Sequence, residues 1–426
     1  MIAKDKLSQI LSDNRREVSE YQIVHRNINT DGFNCLVFIG VRRAGKSFVM
    51  FEKMQRMLLD GKSWNEMLYL NFEDERLSGF DADDFNKILE CHIEMGGNEK
   101  PMMFLDEIQN INNWEKFARR IADQKFSVWI TGSNANMLSK DIMTTLGGRY
   151  LPIEVYPFSF EEYLRARAIP HDSQTLSGTS GRATVMREYA EYMKWGGLPE
   201  SVGLPVKRNY ISSVYQKIYL GDICSRNKIS NPNLLRLMVK KMAESVKQPQ
   251  SYSRITKVLS SVGGRITIPT TISYIGYCQD AWLLLRVRNI SSAFAEKESN
   301  CKYYFIDNGL LNIQLTDATT TLLENIAAIN LFRKYGCDKN NDRVYYYNGN
   351  NVEVDFYIPD EEVAIQVSYT IVDDTTYERE VGALHKLPKF KPCAHRIIIT
   401  YDEEGTITDD YGTIEVIPCW KWMLKQ

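Results

Sequence analysis

Apolar residues in the N-terminal part of the chain fall into short runs that end in polar or glycine-rich residues. The runs at 35–39, 101–105, 126–130 and 150–156 have the length and composition of buried strands. After the first run, residues 48–59 carry apolar side chains at helical spacing. The pattern therefore predicts a strand, a loop and a helix, in that order, at the start of this region.

The loop between this strand and this helix has the sequence of a phosphate-binding loop, Gly-Val-Arg-Arg-Ala-Gly-Lys-Ser. Glycines let backbone N–H groups approach phosphate oxygens, the lysine places a positive charge on the β- and γ-phosphates, and the serine hydroxyl can bind Mg²⁺. The alternative is a glycine-rich turn that binds no ligand. The sequence predicts that ATP binds at Gly40, Val41, Arg42, Arg43, Ala44, Gly45, Lys46 and Ser47.

Two adjacent carboxylates, Asp106 and Glu107, follow the second apolar run. We expect Asp106 to hold Mg²⁺ together with Ser47, and Glu107 to act as the general base that polarises the attacking water. Either carboxylate alone could be a solvated loop charge. Because the pair follows a strand about 60 residues after Lys46, it indicates hydrolysis of ATP.

Small polar residues end the third run, and an arginine follows a glycine-rich turn. Ser133 is predicted to sense the γ-phosphate, with Asn134 as its rival; the alternative is that one of them caps the next helix. Arg149 follows two glycines and is predicted to be an arginine finger, acting within its own chain or on a neighbouring subunit. An exposed structural arginine is the alternative.

Further motifs extend the pattern along the chain. They are Leu-Asn-Phe-Glu-Asp-Glu-Arg-Leu at 70–77, Leu-Asp-Glu-Ile-Gln at 105–109, Thr-Gly-Ser-Asn at 131–134, Gly-Gly-Arg at 147–149, Pro-Phe-Ser-Phe-Glu-Glu-Tyr at 157–163, Gly-Gly-Leu-Pro-Glu at 196–200 and Tyr-Phe-Ile-Asp-Asn-Gly-Leu-Leu at 304–311. With the phosphate-binding loop, they resemble the bacterial and archaeal AAA-type ATPases that have a C-terminal DUF4143 domain. The resemblance covers nearly the whole chain.

This resemblance implies an α/β fold: a P-loop NTPase with an AAA-like parallel sheet and a helical lid, followed by a winged helix and a restriction-endonuclease-like α/β domain. The corresponding segments are 1–165 for the ATPase core, 166–232 for the lid, 233–310 for the winged helix and 311–426 for the nuclease-like domain. Within the lid, the polar residues 170–183 are expected to form a loop.

Charge is distributed unevenly, although the formal net charge of the chain is only −2. Residues 233–310 have a net charge of +6, whereas residues 311–426 have −8. The basic segment reads as three helices and two strands, at 233–247, 252–262, 267–281, 282–287 and 302–306. This order agrees with a winged helix.

A winged helix can place a helix in the major groove of DNA while Lys and Arg side chains contact the phosphates. The alternative is a module that binds protein. The predicted phosphate contacts are Arg254, Lys257, Arg265, Arg286 and Arg288.

The resemblance to a restriction-endonuclease-like domain implies a metal site formed by a helix acid, a strand Asp and a Glu-x-Lys on the next strand. Glu324 and Asp355 fit the first two positions. Gln366 stands where the Glu is expected and Ser368 where the Lys is expected, so no cation remains on that strand. A degenerate nuclease site that serves in docking is therefore preferred to an active one.

Size and composition agree with a multidomain chain that does not enter a membrane. At 426 residues the chain exceeds what one core usually serves, and its longest apolar runs are far shorter than a membrane span. The eight cysteines are scattered, and no signal-peptide core is visible at the N-terminus, so free thiols and a cytoplasmic location are expected.

These observations predict a Mg²⁺-dependent ATPase whose hydrolysis is coupled to nucleic-acid or protein binding by its C-terminal modules. A homo-oligomer or a protein partner agrees with this interpretation. The alternatives are a nucleotide-gated scaffold with little turnover, an ATP-dependent DNA nuclease and, more weakly, a small-molecule kinase.

Overall fold

The structure is a computed structural model and describes residues 2–132, 144–316, 318–336 and 343–425. The chain divides into two compact units, Met1–Val155 and Tyr156–Gln426, each with its own β-sheet.

The first unit is built on a five-stranded parallel sheet with the strand order β2-β3-β4-β1-β5. Its strands are β1 (Cys35–Ile39), β2 (Met67–Asn71), β3 (Met102–Asp106), β4 (Val128–Gly132) and β5 (Leu151–Glu154). Its helices are α1 (Lys4–Glu20), α2 (Lys46–Leu59), α3 (Phe85–Glu94) and α4 (Trp114–Asp123). The four strands predicted from apolar runs and the first predicted helix are therefore confirmed, with shifts of a few residues at their ends.

Burial explains why these segments form strands and helices. All five residues of β1 are buried, as expected for a strand covered on both faces. In α4 the buried side chains recur at helical spacing, which gives the helix one apolar face. Because all strands of the sheet are parallel, their carboxyl ends lie along one edge, where ligands bind in open α/β sheets.

The second unit contains most of the helices. Within the described residues they are α5 (Phe160–Ala166), α6 (Ser173–Ser177), α7 (Thr179–Trp195), α8 (Lys207–Gln216), α9 (Pro232–Glu244), α10 (Tyr252–Gly263), α11 (Ile268–Asp280), α12 (Phe294–Ser299), α13 (Asn308–Asn312), α14 (Thr319–Tyr335), α15 (Asp374–Lys386) and α16 (Cys419–Leu424). A π-helix, Lys217–Ser225, continues α8. Every residue from Leu322 to Phe332 in α14 is buried, so this helix is central to the core.

A nine-stranded mixed sheet runs through the second unit in the order β13-β14-β12-β11-β10-β9-β7-β8-β6. The strands are β6 (Gln250–Ser251), β7 (Leu284–Asn289), β8 (Asn300–Phe305), β9 (Tyr345–Gly349), β10 (Val352–Ile358), β11 (Val363–Val367), β12 (His395–Thr400), β13 (Gly405–Asp409) and β14 (Gly412–Pro418). Because β7 pairs with β9, the sheet continues across the predicted boundary at residue 310.

The three helices and two strands predicted in the basic segment are confirmed as α9, α10, α11, β7 and β8. In contrast, the loop predicted at residues 170–183 is wrong for most of its length. Helix α6 occupies Ser173–Ser177, and α7 begins at Thr179. The side chain of Asp172 accepts a hydrogen bond from the Thr175 N–H, so the polar residues act here as a helix cap.

Candidate active site

The phosphate-binding loop joins β1 to α2 at the carboxyl edge of the parallel sheet. Gly40 has a φ of +149° and Gly45, at the N-cap of α2, has a φ of +92°. A Cβ atom at Gly40 would lie 2.1 Å from the carbonyl oxygen of Val155, so the loop can pass this backbone only as glycine.

Buried cations hold the backbone of this loop. Lys46 is 5% exposed, and its Nζ donates hydrogen bonds of 3.2 Å and 3.1 Å to the carbonyl oxygens of Gly40 and Val41. Arg26, which is also buried, donates a hydrogen bond of 3.0 Å from Nη1 to the carbonyl oxygen of Ala44. The ammonium of Lys46 is thus held against the loop that is predicted to bind phosphate.

The two arginines of the loop differ in their surroundings. Arg42 is paired with Glu73 at 3.4 Å. Arg43 is exposed and has a left-handed φ of +65°, which is uncommon for a residue with a side chain.

The carboxylate of Asp106 ends β3 and is almost completely buried. It accepts hydrogen bonds from the hydroxyl groups of Tyr69 (2.9 Å), Thr131 and Ser47. Burial, followed by the charge of Glu107, raises the pKa of Asp106, while these three hydrogen bonds oppose the shift. Burial therefore disfavours the charged form of Asp106, whereas the three hydroxyl donors favour it.

Glu107 is half-buried at the turn after β3 and has a left-handed φ of +50°. Its backbone N–H donates a hydrogen bond of 2.8 Å to Oγ1 of Thr131, and its carboxylate accepts one from the side-chain amide of Gln109. A left-handed φ at a residue with a Cβ costs about 1–2 kcal/mol. These two contacts therefore hold the carboxylate in a position that the backbone alone disfavours.

Chemically, this edge of the sheet brings together an ammonium, a hydroxyl and two carboxylates. The hydrogen bond between Ser47 and Asp106 places a hydroxyl oxygen beside a carboxylate oxygen, and Mg²⁺ prefers such ligands. The residues present therefore fit a Mg²⁺ ion bound together with phosphate oxygens.

The other predicted catalytic residues have different outcomes. Ser133 and Asn134 lie outside the described residues. Arg149 forms an ion pair with Asp123, at 2.5 Å from Nε to Oδ1, and its Nη1 donates to the carbonyl oxygens of Leu146 (3.2 Å) and Gly147 (3.4 Å). The arginine-finger role stays a prediction.

The five predicted phosphate contacts fall into two groups. Arg286 and Arg288 lie on β7 and both pair with Glu298, at 3.5 Å and 2.9 Å. Arg288 is also buried, so these two arginines are engaged within the chain. The exposed candidates are Arg254, Lys257 and Arg265.

The residues predicted for a nuclease-like site also come together. Asp355 on β10 and Gln366 on β11 are linked by a hydrogen bond of 2.7 Å from the Asp355 N–H to Oε1 of Gln366. Asp355 and Glu324 on α14 both lie near Nζ of Lys302, a residue of β8. The site therefore contains a cation after all, although it is supplied by a strand other than the predicted one. Ser368 instead donates to the carbonyl oxygen of Thr370.

Sequence reasoning missed several side chains that position these groups. They are Arg26, Tyr69, Gln109, Thr131 and Lys302. Thr131 and Gln109 belong to recognised motifs, but those motifs do not indicate which groups the two side chains contact. Tyr69 and Lys302 lie on strands whose pattern carried no sign of a functional site.

Comparison with known proteins shows the family of the chain. Residues 32–164 match the family model described as an AAA domain, and residues 186–321 match a domain of unknown function, DUF8612. The chain is 30% identical to Uncharacterized protein MJ1544 of Methanocaldococcus jannaschii, over 98% of this chain and 94% of that protein. It is also 30% identical to an uncharacterized protein of Haemophilus influenzae, over 91% of this chain and 94% of that protein. The chain belongs to the family of these two proteins.

The AAA domain confirms the predicted P-loop NTPase class and indicates nucleotide binding for this family. The DUF4143 assignment stays unconfirmed, because the matched C-terminal model is a different domain. In the described parts of this family member, no helix has both the length and the apolar composition that crossing a membrane requires.

Solved structures with similarity to this family member include the Walker-type ATPase paby2304 of Pyrococcus abyssi. It has a TM-score of 0.41 and 12% identity, over 74% of this chain and 96% of that chain. The ORC1 protein of Aeropyrum pernix, solved in complex with DNA, has a TM-score of 0.32 and 16% identity, over 73% of this chain and 90% of that chain. At these TM-scores neither likeness carries an inference about this protein.

Proposed function

We propose that the protein hydrolyses ATP to ADP and phosphate in the presence of Mg²⁺. The observation that carries this proposal is the contact between Ser47 of the phosphate-binding loop and Asp106, with Glu107 next in sequence. A loop that only bound phosphate would have no need of two carboxylates at the same edge of the sheet. The pair supplies a metal ligand and a base for water.

The chain's own groups would divide the work as follows. Backbone N–H groups of residues 40–47 and the ammonium of Lys46 hold the β- and γ-phosphates, while Ser47 and Asp106 hold Mg²⁺. When bound, Mg²⁺ would supply positive charge that offsets the negative charge of the phosphates. Glu107 takes a proton from the water that attacks the γ-phosphorus, and Gln109 orients its carboxylate.

The test is release of phosphate from ATP with Mg²⁺, measured for wild type, Glu107→Gln and Lys46→Ala. We expect Glu107→Gln to abolish release while ATP still binds, and Lys46→Ala to weaken binding. The matched controls are Glu99→Gln and Lys116→Ala, because both side chains are exposed in the same unit. Binding of ATP by wild type without any release would replace this proposal with a nucleotide-gated scaffold.

We further propose that residues 233–310 form a winged helix that contacts nucleic acid. The support is the order α9, α10, α11, β7 and β8, the net charge of +6, and the exposed cations on and beside α10. Since contacts to phosphates release counterions, binding should weaken steeply with salt. A protein partner is the rival occupant of this segment.

Fluorescence anisotropy with duplex DNA, over a salt series, tests the DNA contact. Wild type is compared with a triple variant, Arg254→Ala, Lys257→Ala and Arg265→Ala. Arg286→Ala is the control, because Arg286 is paired with Glu298. We expect the triple variant to bind weakly with a reduced salt slope, because it loses about three phosphate contacts. Equal binding by wild type and the triple variant would favour the protein partner.

A further inference from the structure

Four charged side chains of the second unit meet in one cluster. Glu324 comes from α14, Glu353 and Asp355 from β10, and Lys302 from β8. Nζ of Lys302 lies 3.0 Å from Oδ1 of Asp355 and 3.6 Å from a carboxylate oxygen of each glutamate. The Lys302 side chain has no exposed surface. Three carboxylates thus surround one buried ammonium, which has three N–H donors.

Lys302 reaches this cluster across other strands of the sheet. In the strand order, β7 and β9 lie between β8 and β10. Nζ lies 5.5 Å from the centre of the Tyr346 ring on β9, which is a favourable position for a cation over an aromatic face. The lysine therefore links the β7–β8 hairpin to β10.

Side-chain oxygens of Asp355 and Gln366 accept hydrogen bonds from backbone N–H groups. Oδ2 of Asp355 accepts a hydrogen bond of 3.0 Å from the Val367 N–H. Oε1 of Gln366 accepts from the Asp355 N–H, and its Nε2 donates to Glu380 (2.7 Å) and to the carbonyl oxygen of Glu353 (3.2 Å). The side-chain amide of Gln366 thus holds Glu380 and the backbone of β10. Its oxygen already accepts a hydrogen bond.

Glu324 contributes two further carboxylate oxygens to this cluster. Its Oε1 accepts a hydrogen bond of 2.8 Å from the Tyr304 hydroxyl, while its buried Oε2 has no hydrogen-bond partner among the described residues. Mg²⁺ needs six oxygen ligands in near-octahedral geometry. Throughout the described parts of the chain, no three His, Cys, Asp or Glu side chains are arranged to hold a metal ion. The cluster therefore does not fit the metal that a nuclease-like site implies.

We propose that the ammonium of Lys302 takes the place of a metal ion in the cluster of Glu324, Glu353 and Asp355. A cation already neutralises these carboxylates, so the cluster works as a fixed ion-pair junction between the β7–β8 hairpin and β10. The nuclease-like part of the chain is then a metal-free structural module that does not cleave DNA.

Binding of Mn²⁺ to the full, nucleotide-free chain tests this proposal, measured by electron paramagnetic resonance for wild type and Asp355→Asn. We expect the two proteins to bind Mn²⁺ identically, because Asp355 is occupied by Lys302. A Mn²⁺ ion that wild type binds and Asp355→Asn loses would overturn the proposal. Mn²⁺-dependent cleavage of plasmid DNA that is lost in Asp355→Asn would overturn it as well.

Removal of the lysine gives the complementary measurement. In Lys302→Met the carboxylates lose their cation, so we expect Mn²⁺ to bind at least 10-fold more tightly than to wild type and to raise the thermal midpoint. The gain should vanish in Lys302→Met combined with Asp355→Asn. Lys389→Met is the control, since Lys389 is exposed in the same unit. A folded Lys302→Met that gains no Mn²⁺ would contradict the proposal; if this variant does not fold, the wild-type comparison decides.

Discussion

The carboxylate of Asp307 accepts a hydrogen bond of 2.7 Å from the backbone N–H of Gly197, across 110 residues of the chain. Its other oxygen caps α13 by accepting from the N–H groups of Gly309 (2.8 Å) and Leu310 (3.2 Å). Two motifs recognised in the sequence, Gly-Gly-Leu-Pro-Glu and Tyr-Phe-Ile-Asp-Asn-Gly-Leu-Leu, are thereby joined through one buried side chain.

Replacing Gly196 with alanine should destabilise the second unit. Gly196 has a φ of +73°, and a Cβ there would lie 2.1 Å from Oδ2 of Asp307. Three hydrogen bonds to the two carboxylate oxygens hold the Asp307 side chain in place. Overpacking of this kind costs about 1–3 kcal/mol. The thermal midpoint of Gly196→Ala, compared with wild type, measures the effect.

Gly203→Ala is the matched control, because a Cβ at that position would meet no atom of the described residues within 4 Å. We expect its thermal midpoint to stay close to that of wild type, since such surface changes are worth within about 0.5 kcal/mol. Equal midpoints for wild type and Gly196→Ala would show that Asp307 can move without cost.

Stability should depend on pH through Asp307. Burial raises the pKa of this carboxyl to about 6, against the opposing N–H hydrogen bonds. Its pKa in the unfolded chain is about 3.9, so the folded protein binds more protons between these values. Because the folded pKa is the higher one, this group's contribution to stability is full below pH 4 and is lost as pH rises to about 6.

The variant Asp307→Asn should lose this pH dependence. Relative to wild type, its stability should increase by about 2–3 kcal/mol between pH 4 and pH 6 and then level off. The amide has only one oxygen, so a constant offset from lost hydrogen bonds is also expected. The measurement is the difference in thermal midpoint across a pH series, and a difference that does not change with pH would contradict the assignment.

Local sequence patterns predicted the elements around the nucleotide site well, because a strand, a loop and a helix are encoded by neighbouring residues. The loop from Gly40 to Ser47 and the strand that ends at Asp106 illustrate this. Lys302 was missed because its partners come from β10 and α14, and no periodicity along β8 indicates them. The prediction for residues 170–183 failed because Asp172 can cap a helix as readily as it can begin a loop.

Thr131→Val should impair ATP hydrolysis while the fold is retained. Valine has nearly the same shape, but it removes the hydroxyl that donates to Asp106 and accepts from the Glu107 N–H. Loss of such supporting contacts typically costs about 10–100-fold in activity or metal affinity. We therefore expect a lower kcat and a higher Mg²⁺ concentration for half-maximal phosphate release.

Thr131→Ser separates the hydroxyl from the shape of the side chain. It keeps both hydrogen bonds, so we expect most of the wild-type activity. Wild-type kinetics in Thr131→Val, or equal impairment in both variants, would assign Thr131 to packing alone. Circular dichroism melts of both variants exclude unfolding as the cause of any loss.

Arg149 is predicted to be an arginine finger, acting within its own chain or on a neighbouring subunit, and a mixture of variants distinguishes the two. In its own chain its guanidinium pairs with Asp123, at the end of α4. An arginine finger is worth about 10³–10⁵ in rate, so Arg149→Ala should nearly abolish turnover. Since Glu107→Gln is expected to be inactive for a different reason, a mixture of the two variants tests whether the residues come from different subunits.

In a mixed assembly, one site would have an intact Glu107 from one chain and an intact Arg149 from the other. We therefore expect phosphate release to reappear on mixing and to rise with total protein concentration more steeply than in proportion. The control is Arg119→Ala, which should remain active alone. Arg119 is an exposed residue of α4, the helix that ends at Asp123. An inactive mixture, with wild-type activity strictly proportional to concentration, would restrict Arg149 to its own chain.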